Sequence, residues 1–244
     1  MEKNQLSWWE ILTGLKETGA MPYRVLLYGK PGTGKTSWPH MNYNDVESIS
    51  LNEESAPEEL IGMWSLRDGN TVFIDGAATR AFRKGVPLVV NEIDLASGSV
   101  EAALHAVCDD QQIACVTLPT GEVVKPADGF RVFATMNGHP SDLTEPLLDR
   151  FEVVIDCEIP HAMITDNMPS AVARVILNGY RRSQTETENK TWCPAVSTRR
   201  AKAYVTLINF INRDLAAHIV LGNSGPDFVN AVLAATEALE NSSD

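Results

Sequence analysis

Residues 29 to 36 read GKPGTGKT and follow directly on the strand-like run Tyr23-Arg24-Val25-Leu26-Leu27-Tyr28. Few octapeptides restrict a fold so tightly. Glycines at 29, 32 and 34 let the backbone turn sharply enough for successive N–H groups to converge, and such a nest of partial positive charge binds phosphate oxygens. Lys35 adds a full charge, Thr36 offers a hydroxyl to Mg²⁺, and the helix expected from Lys35 contributes unpaired N–H groups at its start. The pattern G-x-x-x-x-G-K-[ST] behind a buried strand predicts a nucleoside-triphosphate site. Its binding residues are Gly29, Lys30, Pro31, Gly32, Thr33, Gly34, Lys35, Thr36 and Ser37.

The rest of the chain alternates strands and helices around that loop. Strands are expected at 46–51, at 86–90 leading into Asn91-Glu92-Ile93-Asp94, at 130–136 ending at Asn137, and at 152–157. Two hairpins are expected, one over 62–74 turning at Asp68-Gly69-Asn70 and one over 113–125 turning at Pro119-Thr120-Gly121. Ser7 caps a predicted helix to about Lys16, and others are expected at 56–61, 77–84, 99–110 and 145–150. Pro39 shortens or kinks the helix behind the loop. Beyond Pro160 only helical periodicity remains, at 170–182, 197–213 and 226–240, with a polar loop at 183–190. The expected organisation is an α/β nucleotide-binding core over 1–160, with a parallel sheet flanked by helices, and a small all-helical unit over 161–244.

Charge and cysteine usage narrow the function further. Twenty basic against 32 acidic residues give a net charge of −12, which repels nucleic acid and anionic membranes, so phosphate must be held locally. Pairs such as Glu53-Glu54, Glu58-Glu59 and Asp109-Asp110 read as solvated surface. Cys108, Cys115, Cys157 and Cys193 have no C-x-x-C spacing and the histidines form no H-E-x-x-H, which leaves buried free thiols rather than zinc or redox chemistry. No apolar run approaches a membrane span and the N-terminus has no signal pattern, so a soluble cytoplasmic protein is expected.

Four residues stand where phosphoryl chemistry needs them. Glu92, at the end of an apolar strand, can orient the water that attacks a γ-phosphate or accept its proton. Asn137 ends the next core strand and can position that water or touch the phosphate. Arg150 and Arg199 are cations that can meet developing charge in the transition state. Each alone reads more simply as a cap, a turn or an ion pair; in order, they form a set.

That ordered set resembles the AAA+ ATPases, and within them the MoxR branch related to dynein and midasin, in the size class of the CbbQ/NorQ type. The likeness covers residues 23 to 213 and rests on GKPGTGKT as Walker A, PEELIGMWSLRDGNTVFIDGAATRAFRKG, VPLVVNEID as Walker B, FRVFATMNG as sensor 1, LTEPLLDRF and VSTRR. The hairpin at 62–74 is similar to the helix-2 insertion of that clade, and the one at 113–125 to its pre-sensor-1 hairpin. The resemblance implies a P-loop fold with a C-terminal lid, ATP and Mg²⁺ as cofactors, Glu92 as the catalytic carboxylate and Asn137 as sensor 1. It further implies Arg150 as an arginine finger acting on a neighbouring subunit, Arg199 as sensor 2, a ring that is usually hexameric, and a protein client, often with a von Willebrand A domain partner. One position departs from the family pattern: Asn91 stands where an aspartate normally helps hold Mg²⁺. Asn91 joins Thr36 as an expected metal-site residue, with less electrostatic help. Asp94 is not expected to replace it, because strand alternation would put it on the opposite face.

Three functions fit. The leading one is an ATP-hydrolysing ring subunit that remodels a protein partner. An assembly module gated by nucleotide, with hydrolysis impaired at Asn91, is the second. A nucleic-acid motor or restriction-type NTPase is the third, disfavoured by the net charge.

Overall fold

A computed structural model of the chain describes residues 6–158, 170–185 and 198–240. Two compact units divide the chain, Met1–Lys30 with Gly34–Glu158 and Pro31–Thr33 with Ile159–Asp244.

The first unit is built on five parallel strands: β1 (Arg24–Tyr28), β2 (Glu47–Ser50), β5 (Leu88–Asn91), β8 (Val132–Thr135) and β9 (Val153–Asp156), in the spatial order β2-β5-β8-β1-β9. Successive side chains of a strand point to opposite faces, and both faces here are apolar. Leu26, Val90 and Ala134 enter one core cluster together with Leu60, Phe82 and Leu104. Their sequence neighbours Val25, Leu27, Val89 and Phe133 enter a second cluster with Trp8, Leu12 and Trp38. The first face is covered by α3 (Pro57–Ile61), α4 (Ala77–Lys84) and α5 (Gly98–Val107), the second by α1 (Trp8–Glu17) and α2 (Ser37–Asn42). α1 starts with a reciprocal cap, in which the Glu10 amide donates to Ser7 Oγ at 3.3 Å and the Ser7 amide donates to Glu10 Oε2 at 2.8 Å.

α2 is only six residues long. Pro39 falls in its first turn, where the missing N–H costs nothing, and Trp38 beside it is fully buried against Phe133, 5.6 Å between ring centroids. So short a helix adds little dipole, and the phosphate loop has to rely on its own amides. At the opposite ends of the strands, Arg24 is buried and pairs with Asp110 at 2.9 Å and Glu152 at 3.0 Å, and its Nη1 donates to the Cys108 carbonyl at 2.8 Å. Asp110 is exposed, as expected of solvated surface, and also serves as one of the two counter-ions of the arginine at the foot of β1.

Two small hairpins leave this core. β3 (Gly62–Arg67) pairs antiparallel with β4 (Asn70–Asp75) around Asp68-Gly69, both with positive φ, while β6 (Val116–Thr117) and β7 (Val123–Val124) are paired over two residues each. The second hairpin is much shorter than the run 113–125 suggests. Arg83 of α4 ties the two together: Nη1 and Nη2 each lie 2.7 Å from a Glu122 oxygen, and Nε lies 2.8 Å from Asp75. A four-residue helix, α6 (Glu145–Leu148), precedes β9.

The second unit contains α7 (Ser170–Thr185), α8 (Thr198–Leu207), α9 (Arg213–Leu221) and α10 (Pro226–Glu240) around Ile176, Tyr204, Ala217 and Val232. The Tyr204 hydroxyl shares a 2.9 Å hydrogen bond with Thr236 Oγ1. The helix expected over 197–213 stops at Leu207 instead, and a further helix begins at Asn212, whose side chain accepts from the Asp214 amide at 2.7 Å. The capping asparagine was the sequence signal for that break. Part of the 183–190 loop, and Cys193, lie outside the described residues.

The root of the β3–β4 hairpin has no room for a side chain. At Gly62, φ is +128° and an added Cβ would lie 2.5 Å from the Ile74 carbonyl and 2.6 Å from the Phe73 ring. Gly62→Ala should lower unfolding stability by about 2–3 kcal/mol in a urea titration. Gly14→Ala, on a helix where an added Cβ meets nothing within 4 Å, should raise it by about 0.5–1 kcal/mol. Equal responses would refute this reading of the hairpin root.

Candidate nucleotide site

Open parallel sheets put their chemistry beyond the carboxyl ends of the strands. Here those ends are in register, with Ser50 opposite Asn91, Asn91 opposite Thr135, Thr135 opposite Leu27, and Tyr28 opposite Asp156. The glycine loop leaves β1 at this edge. Gly29, Gly32 and Gly34 have φ of 122°, 82° and 96°, the left-handed region that glycine tolerates. Gly29 also has a packing reason, since a Cβ there would lie 3.1 Å from both Asp156 Oδ1 and the Cys157 carbonyl.

Lys35 is buried inside the turn it follows. Its Nζ donates to the Gly29 carbonyl at 2.6 Å, the Lys30 carbonyl at 2.9 Å and Asn137 Oδ1 at 3.2 Å. Burial pulls its pKa below the usual lysine range, while Cys157, Asp94 and Asp156 act the other way. The Cys157 thiol, buried in the same region, is pushed up to about 12, so it stays protonated.

Thr36 Oγ1 donates to Asn91 Oδ1 at 2.7 Å. Asn91 is the centre of a further network: Thr135 Oγ1 donates to the same oxygen at 3.1 Å, while Asn91 Nδ2 donates to Ser48 Oγ at 3.2 Å and to the Ile49 carbonyl at 3.3 Å. A carbonyl only accepts, so the Ile49 contact fixes which way the amide points. All of the amide's hydrogen-bonding capacity is used. With its hydrogen committed to Asn91, the exposed Thr36 hydroxyl has its lone pairs available for a cation.

β5 ends at Asn91. Glu92 takes φ 56° and ψ 47°, and a 3-10 turn, Ile93–Leu95, follows. Among the described residues other than glycine, only Asp68 and Glu92 have positive φ. Asp68 occupies a hairpin turn that calls for it, whereas Glu92 holds a strained backbone, about 1–3 kcal/mol, at the mouth of the site with its side chain exposed. The break also overturns the strand-alternation reading of Asp94. No strand passes through residue 94, and its carboxylate comes to Gly138, where Oδ2 lies 3.5 Å from the position of an added Cβ. Asp94 and Thr135 are the residues that pattern reading missed at this edge. Only the end of the strand at residue 91 could have revealed the first.

Lys35, Thr36, Asn91 and Asn137 are therefore joined by direct hydrogen bonds, with Glu92 next in chain to Asn91. Ser37 opens α2 and, like Lys30 and Pro31, is exposed, whereas Thr33 is buried. Arg150 is elsewhere. Its Nε donates to the His105 carbonyl at 3.3 Å and Nη1 to the Pro146 carbonyl at 2.7 Å, and its charge reaches the Cys108 thiol, next to Arg24 at the foot of β1. That is the strand end away from the phosphate loop. Arg199 lies exposed in the first turn of α8, within the second unit.

A model of the AAA domain (dynein-related subfamily) matches residues 24–151, just over half of the chain. The chain belongs to the dynein-related AAA subfamily. Protein NorQ of Paracoccus denitrificans is 34% identical over 117 residues, 46% of this chain and 43% of NorQ. Midasin of Dictyostelium discoideum is 33% identical over 120 residues, 46% of this chain and 2% of midasin. Among solved structures, a mutant of Thermotoga maritima RuvB aligns over 94% of this chain and 67% of its own at 18% identity and a TM-score of 0.49. The chain spans less than half the length of NorQ and a small fraction of midasin. The family match includes the loop, both strand-end polar residues and Arg150, and it stops before the helices of the second unit.

For this AAA domain the Asn91 network has a measurable consequence. Asn91→Asp would remove both N–H donors and set a carboxylate oxygen against the Ile49 carbonyl. Unfolding without nucleotide should show a loss of about 1–3 kcal/mol at pH 8. Burial and the facing Ile49 carbonyl raise the folded pKa against the two hydroxyl donors that the other oxygen keeps, so the penalty is fully present above that pKa and shrinks as pH falls toward about 5. A variant as stable as wild type at pH 8 would mean that the amide donors contribute nothing.

Proposed function

We propose that this AAA domain binds ATP with Mg²⁺ and hydrolyses it as one subunit of a ring, usually hexameric in its family, using the nucleotide state to remodel a protein partner. The observation that carries the reading is the convergence of two distant strand ends on the loop: Lys35 Nζ 3.2 Å from Asn137, and Thr36 Oγ1 2.7 Å from Asn91.

The residues fit the cofactor. The loop takes positive φ at Gly29, Gly32 and Gly34, as a nest for phosphate oxygens requires, Lys35 can add its charge, and the Thr36 hydroxyl, with its hydrogen given to Asn91, keeps its lone pairs for a cation. Among the described residues no three His, Cys, Asp or Glu side chains gather as a metal cluster, so the cation would rest on Thr36, on the nucleotide and on water, as Mg²⁺ does at phosphate sites. Bound Mg²⁺ would supply neutralisation of charge on the phosphate oxygens. Glu92 orients the attacking water and takes its proton; Asn137 holds that water or the terminal phosphate against Lys35.

Arg150 sits at the opposite strand end from its own loop, which supports action on a neighbour's nucleotide. Arg199 would act as sensor 2 from a lid formed by the second unit, with the core ending near residue 160. The exposed face of the β3–β4 hairpin, with Trp64 51% and Leu66 73% exposed, is suited to contact with a client or with an adaptor such as a von Willebrand A domain protein. Among the described residues no helix is long and apolar enough to cross a membrane, and with a net charge of −12 a cytoplasmic protein partner fits better than nucleic acid.

Steady-state phosphate release tests the reading. Glu92→Gln should lower turnover by about 100-fold or more while leaving nucleotide affinity near wild type, and Lys35→Ala should abolish binding. Wild-type turnover no faster than Glu92→Gln would leave the neutral Asn91 site as a nucleotide-gated assembly module. For action across subunits, Arg150→Ala should bind nucleotide and not turn it over. Mixing it with Lys35→Ala subunits should then restore part of the rate, and no rescue at any ratio would rule out the arginine finger.

A further inference from the structure

Asp94 stands out as a carboxylate at the loop edge of the sheet with an oxygen left unbonded. Its Oδ1 is buried without a hydrogen-bond partner. Its Oδ2 lies 3.5 Å from where a Gly138 Cβ would be, next to the Asn137 that contacts Lys35; Asp142 comes closer to the same point, but its Oδ2 already accepts from the His139 amide at 2.9 Å. The turn that brings it there begins at Glu92, held in a left-handed conformation that a β-strand would not impose. A buried carboxylate oxygen with no donor costs about 1–3 kcal/mol, and an asparagine or serine here would serve the 3-10 turn equally well. The carboxylate is among the charges that act on Lys35.

Residue 91 makes the complementary case. Its amide gives both hydrogens to acceptors of β2, at Ser48 and Ile49, and in this network a carboxylate there would face a carbonyl. One of the two atoms at this strand end is committed to donating, and three residues later a carboxylate is supplied within reach of the Lys35 charge.

We propose that Asp94 is the acidic group of the Mg²⁺–triphosphate site, acting from the Asn137 side of the loop to favour the metal-bound nucleotide over the free one. This rests on the nucleotide-site reading above. The carboxylate attracts the hydrated cation through its water shell and repels unneutralised phosphate oxygens, so one charge works in opposite directions on the two forms of the nucleotide.

The test is equilibrium binding of a fluorescent ATP analogue to the full chain, with Mg²⁺ and with EDTA, for wild type and Asp94→Asn, without reference to turnover. The expected result is a crossover. Asp94→Asn should weaken binding in Mg²⁺ and tighten it in EDTA, so that the ratio of the two dissociation constants changes by about ten-fold, and the half-saturating Mg²⁺ concentration should rise by a similar factor. A merely structural aspartate would move both affinities the same way. Equal shifts, or none, overturn the proposal. Wild-type protein that fails to bind the analogue in either buffer overturns the nucleotide-site reading itself. If Asp94→Asn does not fold, Asp94→Ser removes the same charge with less bulk and is judged by the same crossover.

Discussion

Asn91 connects more of this protein than any other side chain described. Its oxygen is bonded to the phosphate loop through Thr36 and to β8 through Thr135, and its nitrogen is bonded to β2 at Ser48 and Ile49. The strand ends of a parallel sheet are otherwise held only by the ladder, which stops where the loops begin. A neutral amide can close the network because it both donates and accepts; a carboxylate cannot. The loop's Thr36 is oriented by that closure, and so is the starting point from which Glu92 breaks away from the strand. What reads in sequence as a weakened acid is, in the fold, a fastening between the sheet and the phosphate loop.

The two ends of the sheet then have different work. At the carboxyl end, polar groups converge and are supported by direct contacts: Lys35 is folded onto the loop's own carbonyls, as a cation must be when buried without a counter-ion in contact. At the amino end, Arg24 pairs with Asp110, Glu152 and the Cys108 carbonyl, and Arg150 is fixed nearby by two backbone carbonyls. An arginine tethered by carbonyls keeps its full charge, because neither partner neutralises it.

Much of this was legible in the sequence. Continuous apolar runs ending in Asn91 and Asn137 marked buried parallel strands, and the glycine spacing of residues 29 to 36 marked the loop. Asp68-Gly69 marked a hairpin whose register then followed. What escaped had a common cause. Pattern reading assumes that an element continues until a breaker residue ends it, and β5 ends at Asn91 with no glycine or proline to announce it. The side of the chain to which Asp94 turns depends wholly on that ending. In the same way Asp110 gave no sign of its partner, because Arg24 lies 86 residues away in sequence. The helix pair at Leu207 and Arg213 was misread for a different reason: the capping asparagine stood within a run whose periodicity hid it.

Asn91 and Asp94 are best understood together. A strand end that had both to carry an acid for a cation and to donate hydrogen bonds to the neighbouring strand would be asked for two incompatible things. Here the requirements are separated by three residues and a left-handed turn, with the donor kept in the sheet and the charge placed beyond it. The strain at Glu92 follows from the same division. An extended backbone would carry residue 94 along the line of β5, whereas a left-handed residue folds it back toward Gly138, beside the Asp142 carboxylate. A β-branched residue at 92 would oppose that turn most strongly, so the conformation that exposes the Glu92 carboxylate also determines where the Asp94 carboxylate lies.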